Sequence, residues 1–290
     1  MLVSPIKTQG KKTKLVPYIK SIVPNMENTL YIEPFLGSGE VLFNINPDYA
    51  LISDNNSHII AFFKALQDKT LTPNTIREFL EVNGEKLQKQ GKDYYYEMRA
   101  EFNRTHSPLY FLFLNRSCFN GVMRFNNKGE FNVPFCNKEN RFDKALITKI
   151  VNQVSLIQNM ILSHRNNWKF ICCDWRELLQ YNDFPCKTLL FYFDPPYVER
   201  HSTYFDAWTE EKNEELFSFI ASLESKFILS NWLSNDYREN DHIKTNFGNG
   251  RFIVLPIEHF YHVGGQEKNR NAILECLITN YSLSQDTVEE

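Results

Sequence analysis

The chain has 290 residues, 42% of them hydrophobic and 14% aromatic, so it can bury the core of one large domain or two moderate ones. Its formal net charge of −3 excludes a uniformly basic nucleic-acid binder, but it allows a local basic face. No run approaches the ~18 consecutive apolar residues of a membrane helix, and no apolar stretch follows the first cations, so we expect a cytoplasmic protein without a membrane contact. The six cysteines lack CxxC spacing, which predicts neither a metal site nor a disulfide framework.

The first motif lies where an apolar, β-prone run meets a glycine-rich turn. The segment TLYIEPFLGSGEVLFNI predicts a strand, a loop and a helix. Glycines at the end of a strand let the backbone approach a nucleotide-like ligand, although such a turn is equally common in loops that bind nothing. The candidate cofactor residues of this segment are Glu33, Pro34, Phe35, Gly37 and Gly39.

A second strand and helix follow in ALISDNNSHIIAFFKAL. Two successive units of this kind predict a parallel α/β sheet. Asp54 ends the second strand, where doubly wound folds place a carboxylate against ribose hydroxyl groups. The alternative is that Asp54 caps the next helix, a role that Asn55, Asn56 or Ser57 would fill equally well.

The middle of the chain has a different character and predicts an inserted module. Helical charge patterns lead into the turn-rich segment NRSCFNGVMRFNNKGEFNVPF, in which Asn-Asn-Lys-Gly predicts a hairpin turn. A β-ribbon of this kind fits the DNA major groove, where arginine pairs with guanine and asparagine with adenine. Arg124 and Asn126 are therefore candidates for base reading. The alternative is an exposed hairpin whose polar side chains are only solvated.

Other DNA-binding candidates lie near this hairpin and in a later loop. Arg116 is a candidate for a base or phosphate contact, and Phe119, beside Asn120, is a candidate wedge where a base leaves the duplex. Lys268 and Arg270 lie between two closing strand-like runs, RFIVLPI and AILECLITNY, which predict an antiparallel pair. These two cations suit phosphate contacts, or they mark a solvated loop tip.

The sharpest signal is Asp194-Pro195-Pro196-Tyr197, directly after the apolar run TLLFYF. Consecutive prolines end the strand and stiffen the loop, which fixes a carboxylate, a carbonyl and an aromatic face relative to one another. The arrangement suits a flipped-out adenine whose amino group donates to the Asp194 carboxylate and the Pro195 carbonyl while Tyr197 stacks on the ring. The alternative is a strand-ending turn with a buried tyrosine.

Together these motifs resemble the Dam-type, D12-class N6-adenine DNA methyltransferases of the alpha group. The resemblance covers nearly the whole length and rests on PIKTQGKKTKLVP, EPFLGSGEV, NRSCFNGVMRFNNKGEFNVPF, FICCDW and FDPPY. It implies methyl transfer from S-adenosylmethionine to adenine in double-stranded DNA, without a metal or a covalent enzyme intermediate. It further implies that Asp54, Asp174, Asp194 and the basic Lys12 lie at the cofactor. Asp174 and Trp175 occupy the place of an Asp-aromatic pair near the target base, where Trp175 is either a pocket wall or a core residue. Thr8 stands where many members carry an aromatic residue, so a stacking contact there is in doubt.

The resemblance also sets the expected architecture and biological role. We expect a seven-stranded, Rossmann-like α/β methyltransferase domain at residues 1–59 and 166–290, with a target-recognition domain inserted at 60–165. A closer likeness of four segments to one restriction–modification member implies the target GATATC, and we expect a monomer. The alternatives are an orphan or phage Dam-like enzyme with a target such as GATC, an enzyme acting on cytosine, RNA or protein amino groups, and a catalytically silent DNA-binding scaffold.

Overall fold

The computed structural model describes residues 1–198, 208–235, 238–260 and 272–283. Its framework is a mixed β-sheet whose described strands are Thr29–Glu33 (β1), Tyr49–Ser53 (β2), Trp168–Ile171 (β3), Thr188–Phe193 (β4), Lys226–Asn235 (β5), Arg238–Glu239 (β6), Ile253–Phe260 (β7) and Ala272–Thr279 (β8). The order is β3-β2-β1-β4-β5-β8-β7, and the two-residue β6 pairs with β5. The predicted α/β methyltransferase sheet is confirmed, with β6 as an addition to its seven strands.

The strand directions divide the sheet into a parallel part and an antiparallel part. The five strands from β3 to β5 are parallel, and all five residues of β1 are buried, as expected for a strand covered on both faces. β8 is antiparallel to both β5 and β7, which confirms the predicted closing pair. Because β1, β2 and β4 run in the same direction, their carboxyl ends meet at one edge of the sheet.

Helices cover the sheet and form the inserted module. The α-helices among the described residues are Val16–Ile22 (α1), Glu40–Ile45 (α2), Ser57–Gln67 (α3), Pro73–Gln90 (α4), Lys92–Thr105 (α5), Pro108–Ser117 (α6), Lys144–Ser163 (α7), Glu210–Ser222 (α8) and Asp241–Phe247 (α9). The module comprises α4 to α7 and the hairpin between α6 and α7. The expected domain boundary at residue 60 falls inside α3, and one hydrophobic core runs from Ile6 through the sheet into α7.

The helix α7 is, among the described residues, the only one long and apolar enough by composition to cross a membrane. One face of α7, however, is buried in the protein, where Ile150, Val154, Ile157 and Ile161 are fully covered. It packs against α4 and α3. We therefore assign α7 to the core of the fold.

A buried glutamine joins α7 to the sheet-covering helix α3. The Gln158 side-chain amide donates to the backbone carbonyls of Leu66 and Leu71, both at 2.8 Å. These carbonyls lie at the end of α3 and in the turn that leads to α4. Gln153, on the same helix, has a buried side-chain oxygen without a hydrogen-bond partner among the described residues.

We predict that Gln158→Leu lowers the free energy of unfolding by about 1–3 kcal/mol, because it removes the donor for two buried carbonyls. The matched variant Gln153→Leu removes no partnered oxygen, so it should be neutral or slightly stabilising. Urea unfolding followed by tryptophan fluorescence measures both. Equal losses in the two variants would contradict the assignment of Gln158 as the link.

Candidate active site

A cavity opens at the sheet edge where β1, β2 and β4 end. Its empty space, which includes the open solvent at its mouth, is about 1300 Å³. We call it the sheet-edge cavity. It is lined by twelve of the candidate site residues named from the sequence: Thr8, Lys12, Glu33, Pro34, Phe35, Gly37, Asp54, Trp175, Asp194, Pro195, Pro196 and Tyr197.

The glycine turn after β1 is held by Asp54 from the end of β2. The Asp54 carboxylate accepts the backbone N–H of Gly37 and that of Asn56, both at 2.8 Å. Asn56, rather than Asp54, caps α3 by accepting the backbone N–H of His58. Burial raises the pKa of Asp54 to about 6, although both backbone hydrogen bonds oppose that rise. The carboxylate keeps further lone pairs that a ligand hydroxyl group can use.

Gly39 supports this turn from outside the cavity. Its φ of +73° places it in the left-handed region, and a Cβ there would lie 2.5 Å from the Phe43 ring. That ring is buried between Phe63 and Trp168, so it has no room to move away. Gly39 is therefore a packing requirement of the turn, and it does not line the cavity.

Asp174 also lies outside the cavity wall, whereas its neighbour Trp175 forms part of that wall. The Asp174 side chain accepts the backbone N–H of Arg176 at 3.0 Å and pairs with the Arg176 guanidinium at 2.9 Å. It thereby caps the short 3₁₀ helix that begins at Trp175. The Trp175 indole nitrogen is buried without a hydrogen-bond partner among the described residues.

The tetrapeptide after β4 interacts with a buried lysine of the cavity wall. The Lys12 ammonium lies 2.8 Å from an Asp194 carboxylate oxygen and 5.4 Å from the centre of the Tyr197 ring. Lys12 is 4% exposed and the Asp194 side chain 21% exposed, so water screens this pair only partly. Burial raises the pKa of Asp194 to about 6, and the charge of Lys12 limits that rise.

Several residues of this region escaped the sequence analysis. Tyr192 and Trp208 line the cavity, and Trp208 packs edge-on against Phe35 at 5.6 Å. Glu275, on β8, accepts the Tyr197 hydroxyl at 3.3 Å. Its position within the apolar run AILECLIT was the available signal, because a lone charge in a buried strand usually has a partner. In the described part of the chain, no group of acidic, histidine or cysteine side chains is placed to hold a metal ion.

The predicted hairpin turn is present, but the Asn126 side chain is hydrogen-bonded within it. The backbone N–H of Gly129 donates to the Asn126 carbonyl at 2.8 Å, and single bridges join Phe125 to Phe131 and Cys118 to Phe135. The Asn126 side-chain oxygen accepts the N–H groups of Lys128 and Glu130, and its amide donates to the Glu130 carboxylate. Asn126 therefore stabilises the turn in the free protein.

The remaining DNA-binding candidates differ in accessibility. Arg124 is exposed and donates to the Asn132 side chain at 2.8 Å, while Phe119 is 54% exposed beside the exposed Asn120. Arg116 is only 6% exposed and donates to the Pro5 carbonyl at 3.2 Å, so its reach towards a ligand is small. Lys268 and Arg270 lie outside the described residues.

The two glycines of the turn give a matched test of the packing around it. Both have a positive φ, so an added Cβ costs each about 1–2 kcal/mol. At Gly37 the Cβ would meet only Thr8 at 3.9 Å, whereas at Gly39 it would meet the Phe43 ring. We predict that Gly39→Ala lowers the free energy of unfolding by about 1–3 kcal/mol more than Gly37→Ala does. Urea denaturation of the two variants measures this difference, and equal free energies of unfolding would contradict the packing argument.

Comparisons with known proteins agree with this site. A family model described as D12 class N6 adenine-specific DNA methyltransferase matches residues 9–263. The type II methyltransferase M.MjaIII of Methanocaldococcus jannaschii is 29% identical over 95% of this chain and 98% of its own. A DNA adenine methylase of Haemophilus influenzae is 32% identical over 67% of this chain and 63% of its own. The type II methyltransferase M.FokI of Planomicrobium okeanokoites is 28% identical over 96% of this chain but only 43% of its own. The cavity at the carboxyl ends of the strands, with its glycine turn and its Asp-Pro-Pro-Tyr loop, is thus that of a chain that belongs to the D12 class of N6 adenine-specific DNA methyltransferases.

Proposed function

We propose that this enzyme methylates adenine at one specific site in duplex DNA and that Asp194, Pro195 and Tyr197 act on the flipped-out base. The observation that carries this proposal is the Lys12–Asp194–Tyr197 arrangement at the rim of the sheet-edge cavity. Bound S-adenosylmethionine supplies an electrophilic methyl group there. The chain must then hold the adenine amino nitrogen in line with that methyl group and accept hydrogen bonds from the two N–H groups of that nitrogen.

The cavity has the donors and acceptors that this cofactor needs. Asp54 keeps lone pairs for ribose hydroxyl groups, and the Trp175 ring forms part of the cavity wall. Lys12 and Glu33 lie near Asp194, where the methionine part of the cofactor would approach the base. Asp174 contributes through Trp175, whose position it fixes by capping the 3₁₀ helix.

Asp194 acts on the base as a hydrogen-bond acceptor. The amino nitrogen of adenine is a weak nucleophile because its lone pair is delocalised into the ring. When the Asp194 carboxylate and the Pro195 carbonyl accept hydrogen bonds from its two N–H groups, the nitrogen moves towards tetrahedral geometry. Its lone pair then becomes available. Pro196 keeps this loop stiff, and Tyr197 stacks on the ring.

The target site is proposed from the recognition segment. Arg124 is exposed on the hairpin and is the leading candidate for reading a base, and the exposed Phe119 is placed to enter the duplex beside Asn120. Asn126 would have to release its own turn to contact a base. We propose GATATC as the target, and the modification half of a type II restriction–modification system as the role. Both rest on the resemblance of PIKTQGKKTKLVP, FLFLNRSCFNG, NDYREN and EHFYHVG to the EcoRV modification methyltransferase. A monomer working in the cytoplasm remains our expectation.

Incubation of the purified protein with S-adenosylmethionine and plasmid DNA, followed by mapping of N6-methyladenine by single-molecule sequencing, tests the proposal. We expect methylation confined to GATATC. Methylation at GATC or another motif would keep the reaction and discard the proposed target. Methyl transfer only to RNA or protein, or to nothing, would overturn the proposed function.

We predict that Asp194→Ala lowers the single-turnover rate of methylation by at least about a hundredfold, because the amino group loses a charged acceptor. Asp183→Ala is the matched control, since Asp183 is exposed and pairs only with Lys169 among the described residues. It should keep the wild-type rate. Rapid quenching with tritiated cofactor at saturating concentration measures both, and a wild-type rate in Asp194→Ala would refute the assigned role.

The pH dependence of activity follows from the raised pKa values of Asp54 and Asp194. Both carboxyl groups have a pKa of about 6, above their ordinary value of 3.8, and each is a much stronger acceptor when it is ionised. We predict that kcat/KM, which reports the free enzyme, falls at least tenfold per pH unit below about pH 6.

Unfolding would not explain such a fall. Because folding raises these two pKa values, protonation of Asp54 and Asp194 favours the folded state as the pH drops from about 6 towards 4. Circular dichroism at each pH provides the control. A flat profile down to pH 5 would contradict the assignment of either carboxylate as an essential acceptor.

A further inference from the structure

Glu275 is a buried acid in the middle of an apolar strand. It is 1% exposed, and its neighbours along β8 include the fully buried Cys276 and Leu277. On the sheet it lies opposite Trp232 of β5 and Ile257 of β7. Burying a carboxylate is costly, so a glutamate at this position implies a specific partner.

That partner is the tyrosine of the catalytic tetrapeptide. The Tyr197 hydroxyl donates to a Glu275 carboxylate oxygen at 3.3 Å, and Tyr197 is itself 8% exposed. On the ring side, the Lys12 ammonium lies 5.4 Å from the ring centre while it pairs with Asp194. Tyr197 is thus fixed at its hydroxyl end by Glu275 and bordered at its ring by the cation that also holds Asp194.

We propose that Glu275 is a positioning residue for adenine methylation, whose carboxylate holds the Tyr197 ring in the orientation that stacks on the flipped-out base. The inference rests on the proposed roles of Tyr197 and Asp194. Without this hydrogen bond the hydroxyl end of the Tyr197 ring is held less tightly in that orientation. A displacement of about 1 Å at a reacting centre can cost a large factor in rate.

The charge of Glu275 has a second, separable effect. The titratable groups that interact with Asp194 are Lys12, Tyr31, Glu33, Tyr192 and Glu275, and the negative charge of Glu275 raises the pKa of Asp194. Glu275→Gln keeps an acceptor for the Tyr197 hydroxyl but removes the charge. Its kcat/KM profile should therefore have its acid limb at lower pH than that of the wild type, a change that a merely structural residue would not produce.

The decisive experiment is a double-mutant cycle on the single-turnover rate at saturating S-adenosylmethionine and duplex DNA. Tyr197→Phe removes the hydroxyl and Glu275→Leu removes the acceptor, so each should lower the rate about tenfold. The double variant should be no slower than the slower single variant, because both changes remove the same hydrogen bond. Cofactor affinity should stay within about twofold. Glu258→Gln, an exposed glutamate on β7, is the control and should match the wild type.

The outcomes separate this inference from the proposed function. If Asp194→Ala is inactive while Tyr197→Phe keeps the wild-type rate, or while the two single losses multiply in the double variant, the role of Glu275 is overturned and the proposed function stands. If Asp194→Ala is active, both fall. Should Glu275→Leu fail to fold, Tyr197→Phe together with the pH profile of Glu275→Gln still decides, and an unshifted acid limb counts against the inference.

Discussion

The ion pair between Lys12 and Asp194 is the contact on which the active site depends. It joins a segment near the amino terminus to the end of the central strand β4, across 2.8 Å. The same segment is attached to the recognition module, because the fully buried Asn115 side chain makes two hydrogen bonds to the Lys7 backbone, both 2.8 Å long. One short stretch of chain therefore contacts both the Asp194 carboxylate and the end of the helix that precedes the hairpin.

The buried charges of this site oppose the stability of the fold. Burial raises the pKa of Glu33, Asp54 and Asp194, which means that each carboxylate is less stable here than in water. Only Asp194 has a cation at contact distance among these three in the described structure, while Glu33 relies on the Tyr31 hydroxyl at 2.8 Å. Concentrated unfavourable charge of this kind is typical of catalytic sites, where function is retained at the expense of stability.

Much of the fold could be predicted from the sequence, because its strands and turns follow from local patterns of residues. Apolar runs ending at Glu33, Asp54 and Asp194 predicted the parallel strands, and the loops at their carboxyl ends predicted the site. The boundary at residue 60 was less accurate, since α3 continues to Gln67 without a break in its apolar face. Nor does an Asn-Asn-Lys-Gly turn reveal that Asn126 uses its side chain to close that turn.

The sequence by itself determined the class of enzyme, because a stiff proline loop and a glycine turn carry their chemistry in adjacent residues. Only the tertiary structure decided which distant side chains complete the site. Lys12 meets Asp194 across 182 positions, because the amino-terminal segment packs over the end of β4. Tyr197 meets Glu275 across 78 positions, because the sheet order places β4, β5 and β8 side by side. The tertiary structure also places Gly39 and Asp174 outside the cavity wall, where Gly39 supports the glycine turn and Asp174 caps the 3₁₀ helix. Such contacts depend on strand order and packing, which no local pattern encodes.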